Sequence, residues 1–400
     1  MLASAVAAES GMRVILFEAG KDAGRKLRIT GKGRCNLTNN CSPRQVIENI
    51  PTNGKFMFGA VNGLTPADTM RLFENLGVPL KTERGNRVFP QSDSAADVVD
   101  ALRRYMENTG VTVVKSRALD IDCDGGRVSG VKTAAGYYKC RWVLLCTGGL
   151  SYPKTGSTGD GYLMAQKLGH RIVKPKPSLV PLVSKQRFCA EMQGLALKNV
   201  KITVYDKADR HIYEDFGEML FTHFGVSGPI VLSASAHMRD MEKNGYYIRL
   251  DLKPALDEKK LDLRILRDFE KYSNRDFINA LGDLLNRKMI PVVVKLTGIP
   301  PETKVHSITR EQRMKLVSVI KGLRIDIDRP RPVEEAIITS GGVDVRDINP
   351  STMESKLING LYFAGEIIDV DAYTGGFNLQ IAWSTAYQAA ENIRERYYEE

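Results

Sequence analysis

Two hydrophobic periods alternate along the chain. Short unbroken apolar runs, RVILFEAG (13–20) and WVLLCTGG (142–149), have the texture of strands covered on both faces in a parallel sheet, and VTVVKS (111–116) and GLYFAG (360–365) also read as strands. Between them the period lengthens to that of helices with recognisable ends. Residues 2–10 form a small-residue helix stopped by Gly11, and residues 65–77 open with Thr65 as cap and Pro66 in the first turn and stop at Gly77. Residues 92–110 read the same way, and from residue 117 the chain alternates as a small antiparallel meander with turns at 124–126 and 135–136.

The texture changes at PKPSLVP (175–181), a Pro-rich crossing between domains. Residues 182–253 then carry short alternating strands, a Gly-Pro break and one small-residue helix. Residues 254–325 are mostly charged amphipathic helix, including a capping box at Thr309 and Gln312. The β-branched, glycine-rich texture of the N-terminal part returns from Val333. The expectation is an α/β protein whose nucleotide-binding domain is discontinuous, residues 1–181 and 331–400, interrupted by a substrate domain over 182–330 that is β-rich first and helical afterwards.

Composition narrows the function classes. With 43% hydrophobic and 26% charged residues the chain can bury a sizeable core. No apolar stretch is long enough to cross a bilayer, and the N-terminus does not read as a secretory signal. Six cysteines without zinc-type pairing fit a reducing compartment, so a cytoplasmic location and no metal site are expected. The formal net charge is +10, yet the basic residues are spread along the chain without an arginine-rich tail or an aromatic-basic RNA motif. A small-molecule substrate and an anionic cofactor are therefore expected, with no nucleic acid and no membrane partner.

Four pieces carry candidate chemistry. Glu18 ends a strand that follows an Ala-rich helix, where a dinucleotide fold places the acid that holds a ribose. GRKLRITGKGRCNLTN (24–39) has no apolar period, which argues against a core helix or buried strand. Its Gly24, Gly31 and Gly33 permit close backbone approach, Arg25, Lys26 and Arg34 offer charge for phosphate, and Thr30, Asn36 and Thr38 offer neutral hydrogen bonds. Thr147, Gly148 and Gly149 break the second buried strand at its C-terminal end, the ligand-binding edge of an open α/β sheet. Finally, Gly365, Glu366, an acidic loop with Asp369, and Gly375-Gly376 lead into a long helix starting near Phe377. That helix N-terminus suits the negative charge that develops at the pyrimidine end of a reduced isoalloxazine.

At these residues the chain resembles the BaiN/YhiN-type, aminoacetone-oxidase-like NAD(P)/FAD-dependent oxidoreductases. The motifs are GRKLRITGKGRCNLTN, RVFPQSDSAADVVDAL, TGGLSYPKTGSTGDGY, PSLVPL, GEMLFTHFGVSGP and the long segment from GGVDVRD (341–347) to TAYQA (385–389), in order along the chain. The resemblance implies a glutathione-reductase-type FAD domain with an inserted β-rich domain and helical lobe. It implies that Glu18 holds the adenosine ribose and that residues 24–36, Cys35 among them, run along the pyrophosphate and flavin. Thr147 to Gly149 would form a second turn near the nucleotide. Gly365, Glu366 and Asp369 would hold the ribitol and phosphate region, and Gly376, Phe377, Asn378, Leu379 and Gln380 the ring. Family members begin with a strand and a GGGxxG-like turn ahead of the Ala-rich helix, which the sequence from Met1 does not show. A misplaced start explains this; a true truncation predicts a gap in the sheet and weak FAD binding.

The expected activity is hydride transfer between FAD and a small carbonyl, enone or amine substrate, with NAD(P)H as electron donor. His223, Tyr373 and Tyr152, with Lys154 beside the last, are the candidate proton donors. Two other readings are kept: dithiol chemistry at Cys35 and Cys41, and a non-catalytic relic with weak FAD binding.

Overall fold

The computed structural model describes residues 1–399, which divide into two compact units: residues 1–178 with 333–399, and residues 179–332.

In the first unit, the apolar runs form short parallel strands. Ile15–Phe17 pairs with Thr112–Val114, and Leu361–Phe363 pairs with Val143–Leu145. Among the described residues no strand joins the two pairs into one sheet. Leu361, Tyr362 and Phe363 are fully buried, whereas Ile15, Leu16, Phe17, Val143 and Leu144 are half-buried rather than covered on both faces as their sequence suggests. The meander forms as expected, 118–124 with 127–133 with 136–139.

Helices close over this framework. Thr65 caps helix Pro66–Asn75 through a capping box with Asp68, and Ser94 caps Ala95–Asn108. Both pack with helix Leu2–Ala8 and the C-terminal helix Phe377–Glu399 in one apolar cluster that includes Leu2, Val6, Phe73, Leu102 and Trp383. Trp383 also donates its indole N–H to the Leu37 carbonyl at 2.9 Å.

The second unit is a closed six-stranded antiparallel barrel in the order 182–184, 225–227, 211–221, 196–206, 246–251, 323–330. Val200, Ile202 and Val204 point inward while Lys201, Thr203 and Tyr205 alternate outward, the period of a half-buried strand. Helices Glu258–Lys271, Ile290–Thr297 and Arg310–Lys321 fall between the fifth and last strands, the last of these with the capping box at Thr309 and Gln312. Residues 323–330 correct the sequence reading, which begins to lose the strand inside a helical stretch. They are the strand that shuts the barrel against 182–184, a partner some 140 residues away that local periodicity cannot reveal.

One buried histidine ties the loop before strand 361–363 to the rest of the unit. His170 is 3% exposed; its Nδ1 faces the Ala165 carbonyl at 3.1 Å and its Nε2 faces the Ser355 hydroxyl at 2.7 Å. Ser355 Oγ already accepts the amides of Leu357 and Ile358, so it donates to a neutral imidazole and has no lone pair left for a protonated one. Burial accordingly lowers the His170 pKa. The unfolded chain therefore binds the proton more readily. This contribution to stability is present above the unfolded pKa of about 6.5 and is lost as pH falls below it, at no more than about 1.4 kcal/mol per pH unit. Denaturant midpoints of the unaltered chain should fall between pH 7.5 and 5.5, and His170→Gln should flatten that dependence.

Candidate functional site

Three of the four sequence pieces meet around one carboxylate. Glu366 follows strand Leu361–Phe363, and its neighbour Gly365 takes a φ of 77° that turns the chain there. Glu366 Oε1 accepts the Ser151 hydroxyl at 2.7 Å and the Thr339 amide at 2.9 Å, while Oε2 accepts Lys26 Nζ at 2.5 Å. Lys26 also donates to Ser151 Oγ at 2.7 Å and to the Ser151 carbonyl at 3.3 Å. Thr339 Oγ1 accepts the amides of Leu150 and Ser151 at 2.8 and 3.0 Å. Gly149 lies so close that a Cβ there would sit 2.4 Å from Thr339 Oγ1 and 2.8 Å from Glu366 Oε1. The lysine of 24–39, the turn after strand 143–145 and the acid of 365–369 thus form one network.

Segment 24–39 is more ordered than its composition suggests. Arg25–Ile29 is a short helix, Gly31 and Lys32 take left-handed backbone angles, and Thr38–Asn39 is a buried strand paired with Val88 and Arg87. The polar strand is tolerated because its side chains are bonded: Thr38 to Gln380, Asn39 to the Gly85 and Gly375 carbonyls. Its cations differ from the expectation of free phosphate ligands. Arg34 pairs with Glu83 and Asp93 and lies 4.1 Å from the Phe89 ring centroid, and the three N–H groups of Lys26 all face internal acceptors. Arg25 remains, donating to the Lys154 carbonyl; it lies beside Gly20, as does Glu18, whose Oε1 accepts the Gly20 amide at 2.6 Å.

The helix entrance is held by backbone contact. A Cβ on Gly376 would sit 2.2 Å from the Thr38 carbonyl oxygen, which leaves only glycine at that crossing. With its amide oriented to satisfy its neighbours, Asn36 accepts the Gly376 N–H at 2.9 Å and donates to the Val88 and Thr38 carbonyls. Asn378 bonds both backbone groups of Ala372, and fully buried Gln380 spends its amide on Thr38, Leu64 and Ser384. The side chains of Asn36, Asn378 and Gln380 are committed within the fold, which leaves the backbone of 376–380 as the surface for a ligand. Asp369 is likewise buried, accepting from Asn53, and burial followed by Asp371 raises its pKa.

The donors and acceptors present suit a dinucleotide. Thr147 Oγ1, just after strand 143–145, is buried with no hydrogen-bond partner among the described residues. Gly148, beside it, takes a left-handed φ of 73°. Among the described residues Glu18 Oε2 and one lone-pair position of Glu366 accept no hydrogen bond, and the first-turn amides of helix Phe377–Glu399 have no intrahelical acceptor.

The proton-donor candidates belong to different units, Tyr152 and Tyr373 to the first and His223 to the second. Tyr373, half-buried, stands in the loop held by Asn378, and Tyr152 is 36% exposed at a φ of 52°. His223 is exposed in the second unit, its ring edge-on to Phe224. Ser151 and Thr339 were not legible as site residues; the only sequence signal was the position of Ser151 beside the Thr-Gly-Gly turn. The cysteines oppose thiolate chemistry, since Cys35 is fully buried, which pushes its thiol up to about 12, and burial also raises Cys41.

Comparison with known proteins follows the same outline. Residues 1–392 match the model of the HI0933-like protein Rossmann domain. The chain belongs to this family. Its relatives include a ribosomal RNA dihydrouridine synthase of Escherichia coli K12, 30% identical over 397 residues (98% of this chain, 95% of the relative), and a 3-dehydro-bile acid delta(4,6)-reductase of Clostridium scindens, 28% identical over 400 residues with the same coverage. The HI0933-like family is thus the BaiN/YhiN family that the motifs resemble, and its members are flavin-dependent oxidoreductases. Among solved structures, the FrdA chain of E. coli quinol fumarate reductase aligns with a TM-score of 0.51 at 15% identity, covering 99% of this chain and 68% of that one, a likeness of fold.

In native protein at pH 8, iodoacetamide should leave Cys35 unmodified, and full labelling should appear only on denaturation. Rapid native labelling of Cys35, read by mass spectrometry, would restore the dithiol reading.

Proposed function

We propose that this HI0933-like protein binds FAD in its first unit and reduces a carbon–carbon double bond conjugated with a carbonyl, taking electrons from NAD(P)H. The observation that carries the reading is the convergence of Lys26, the 147–151 turn, Thr339 and Glu366 on one set of donors and acceptors. The relatives' names supply the reaction class. Dihydrouridine is uridine saturated at a bond conjugated with a ring carbonyl, and a delta(4,6) bond system in a 3-dehydro steroid is conjugated with its 3-oxo group.

In this reading Glu18 and Glu366 accept hydroxyls of the adenosine ribose and the ribityl chain. Thr147 Oγ1, the Gly148-Gly149 backbone and Arg25 serve the nucleotide, and the first-turn amides after Gly376 face the ring. FAD held by these residues would supply the hydride chemistry. The protein holds the substrate carbonyl and delivers a proton, for which Tyr373 Oη, Tyr152 Oη and His223 are the groups to test.

A small-molecule substrate is the first reading. A uridine in ribosomal RNA is the second. It has one supporting observation, the concentration of positive charge in residues 179–332, which hold 27 Lys and Arg against 20 Asp and Glu.

The experiment is an absorbance spectrum of the purified chain with and without FAD, followed by anaerobic NADH or NADPH oxidation with a 3-oxo-4-ene steroid and a simple enone. Dihydrouridine is then counted in unmodified ribosomal RNA exposed to the chain. Flavin bands with donor oxidation that depends on the enone support the first reading, and dihydrouridine formation supports the second. An absence of flavin bands after addition of FAD overturns both.

Thr147→Val gives a prediction of two signs. Removing an unpartnered buried hydroxyl in favour of a methyl group should leave the cofactor-free chain as stable or up to about 1–3 kcal/mol more stable. The same change should weaken FAD binding about tenfold, as expected for one lost hydrogen bond. Denaturation of the cofactor-free chain and an FAD titration check the two halves separately.

A further inference from the structure

Building on the flavin reading, we propose that Lys26, Ser151 and Thr339 are positioning residues that fix Glu366 so that a single open acceptor site faces a hydroxyl of the cofactor's polyol chain, and that Lys26 holds no phosphate.

A carboxylate offers about four lone-pair positions. Oε1 of Glu366 spends two, on the Ser151 hydroxyl and the Thr339 amide, and Oε2 spends one on Lys26. One position on Oε2 remains, and only a donor can fill it. The ammonium of Lys26 has three N–H groups and three acceptors: Ser151 Oγ, the Ser151 carbonyl and Glu366. An incoming phosphate would find no free N–H and would stand beside a carboxylate; an incoming hydroxyl would complete the set. At 13% side-chain exposure Glu366 already has its counter-ion in Lys26 and needs none from the ligand.

Thr339 makes the arrangement rigid from the far side. Its amide fixes Glu366, and its hydroxyl oxygen holds the amides of Leu150 and Ser151, the main chain that carries the serine. At 1% exposure Thr339 touches no ligand and acts only through its neighbours.

The test is calorimetric titration of the unaltered chain, Lys26→Met, Thr339→Val and Thr339→Ser with FAD and with ADP. ADP carries the adenosine and the pyrophosphate but no polyol chain. Lys26→Met and Thr339→Val should raise the Kd for FAD at least tenfold, leave the Kd for ADP within twofold, and leave the salt dependence of FAD binding unchanged. Thr339→Ser should restore FAD affinity. Retained ADP binding also reports an intact fold. If Lys26→Met weakens ADP as much as FAD, or lowers the salt slope, Lys26 is a phosphate ligand and the proposal fails. Normal FAD binding by both Lys26→Met and Thr339→Val likewise overturns it while leaving the flavin reading standing. An unaltered chain that binds ADP but no FAD overturns the flavin reading itself, and this proposal with it.

Discussion

The ion pair between Lys26 and Glu366 is the contact on which the site depends, because it joins residues 340 positions apart in the sequence. Around it a short helix, a strand-end turn and the entrance to the C-terminal helix acquire fixed relations. None of these elements is long. Arg25–Ile29 is a little over one turn and Val143–Leu145 three residues, so their positions come from side chains bonded across segments rather than from intrinsic stability. The close crossing of Gly376 over the Thr38 carbonyl serves the same end by a different means, contact of backbone with backbone.

The network also explains why charge in a sequence motif is a poor guide to charge in a site. The stretch 24–39 looks like an electropositive loop, yet Arg28 is paired with Asp100, Arg34 with Glu83 and Asp93, and Lys26 with Glu366. The motif spends much of its charge on holding itself together. What it offers a ligand is shape and a few directed hydrogen bonds.

Much of the fold could be read from the chain. The capped helices at Thr65 and Thr309, the three-stranded meander and the strands ending at Phe17 and Leu145 all announce themselves through local signals. The places where reading stopped share a cause, which is sequence distance. Strand 323–330 is defined by a partner near residue 183, and Thr339 by two amides 188 and 189 residues upstream. A buried strand at Thr38–Asn39 was hidden for a related reason, since its polar side chains look exposed until Gln380 and Gly375 are brought beside them. Half-burial of Ile15–Phe17 was invisible too, because an apolar run reports what a strand prefers and not what comes to cover it.

The late barrel strand bears on the order in which the chain matures as it is synthesised. Every strand of the inserted barrel has been made once residue 330 is reached, while the first unit still lacks strand 361–363, Glu366 and the helix that carries Gln380 and Trp383. The part that begins second can therefore finish first. Until the last seventy residues emerge, segment 24–39 has neither its anion nor its helical lid, and the half-built unit exposes apolar strands of the kind that invite wrong pairing. Placing the barrel in the middle of the chain lengthens that interval by the time its own residues take to make.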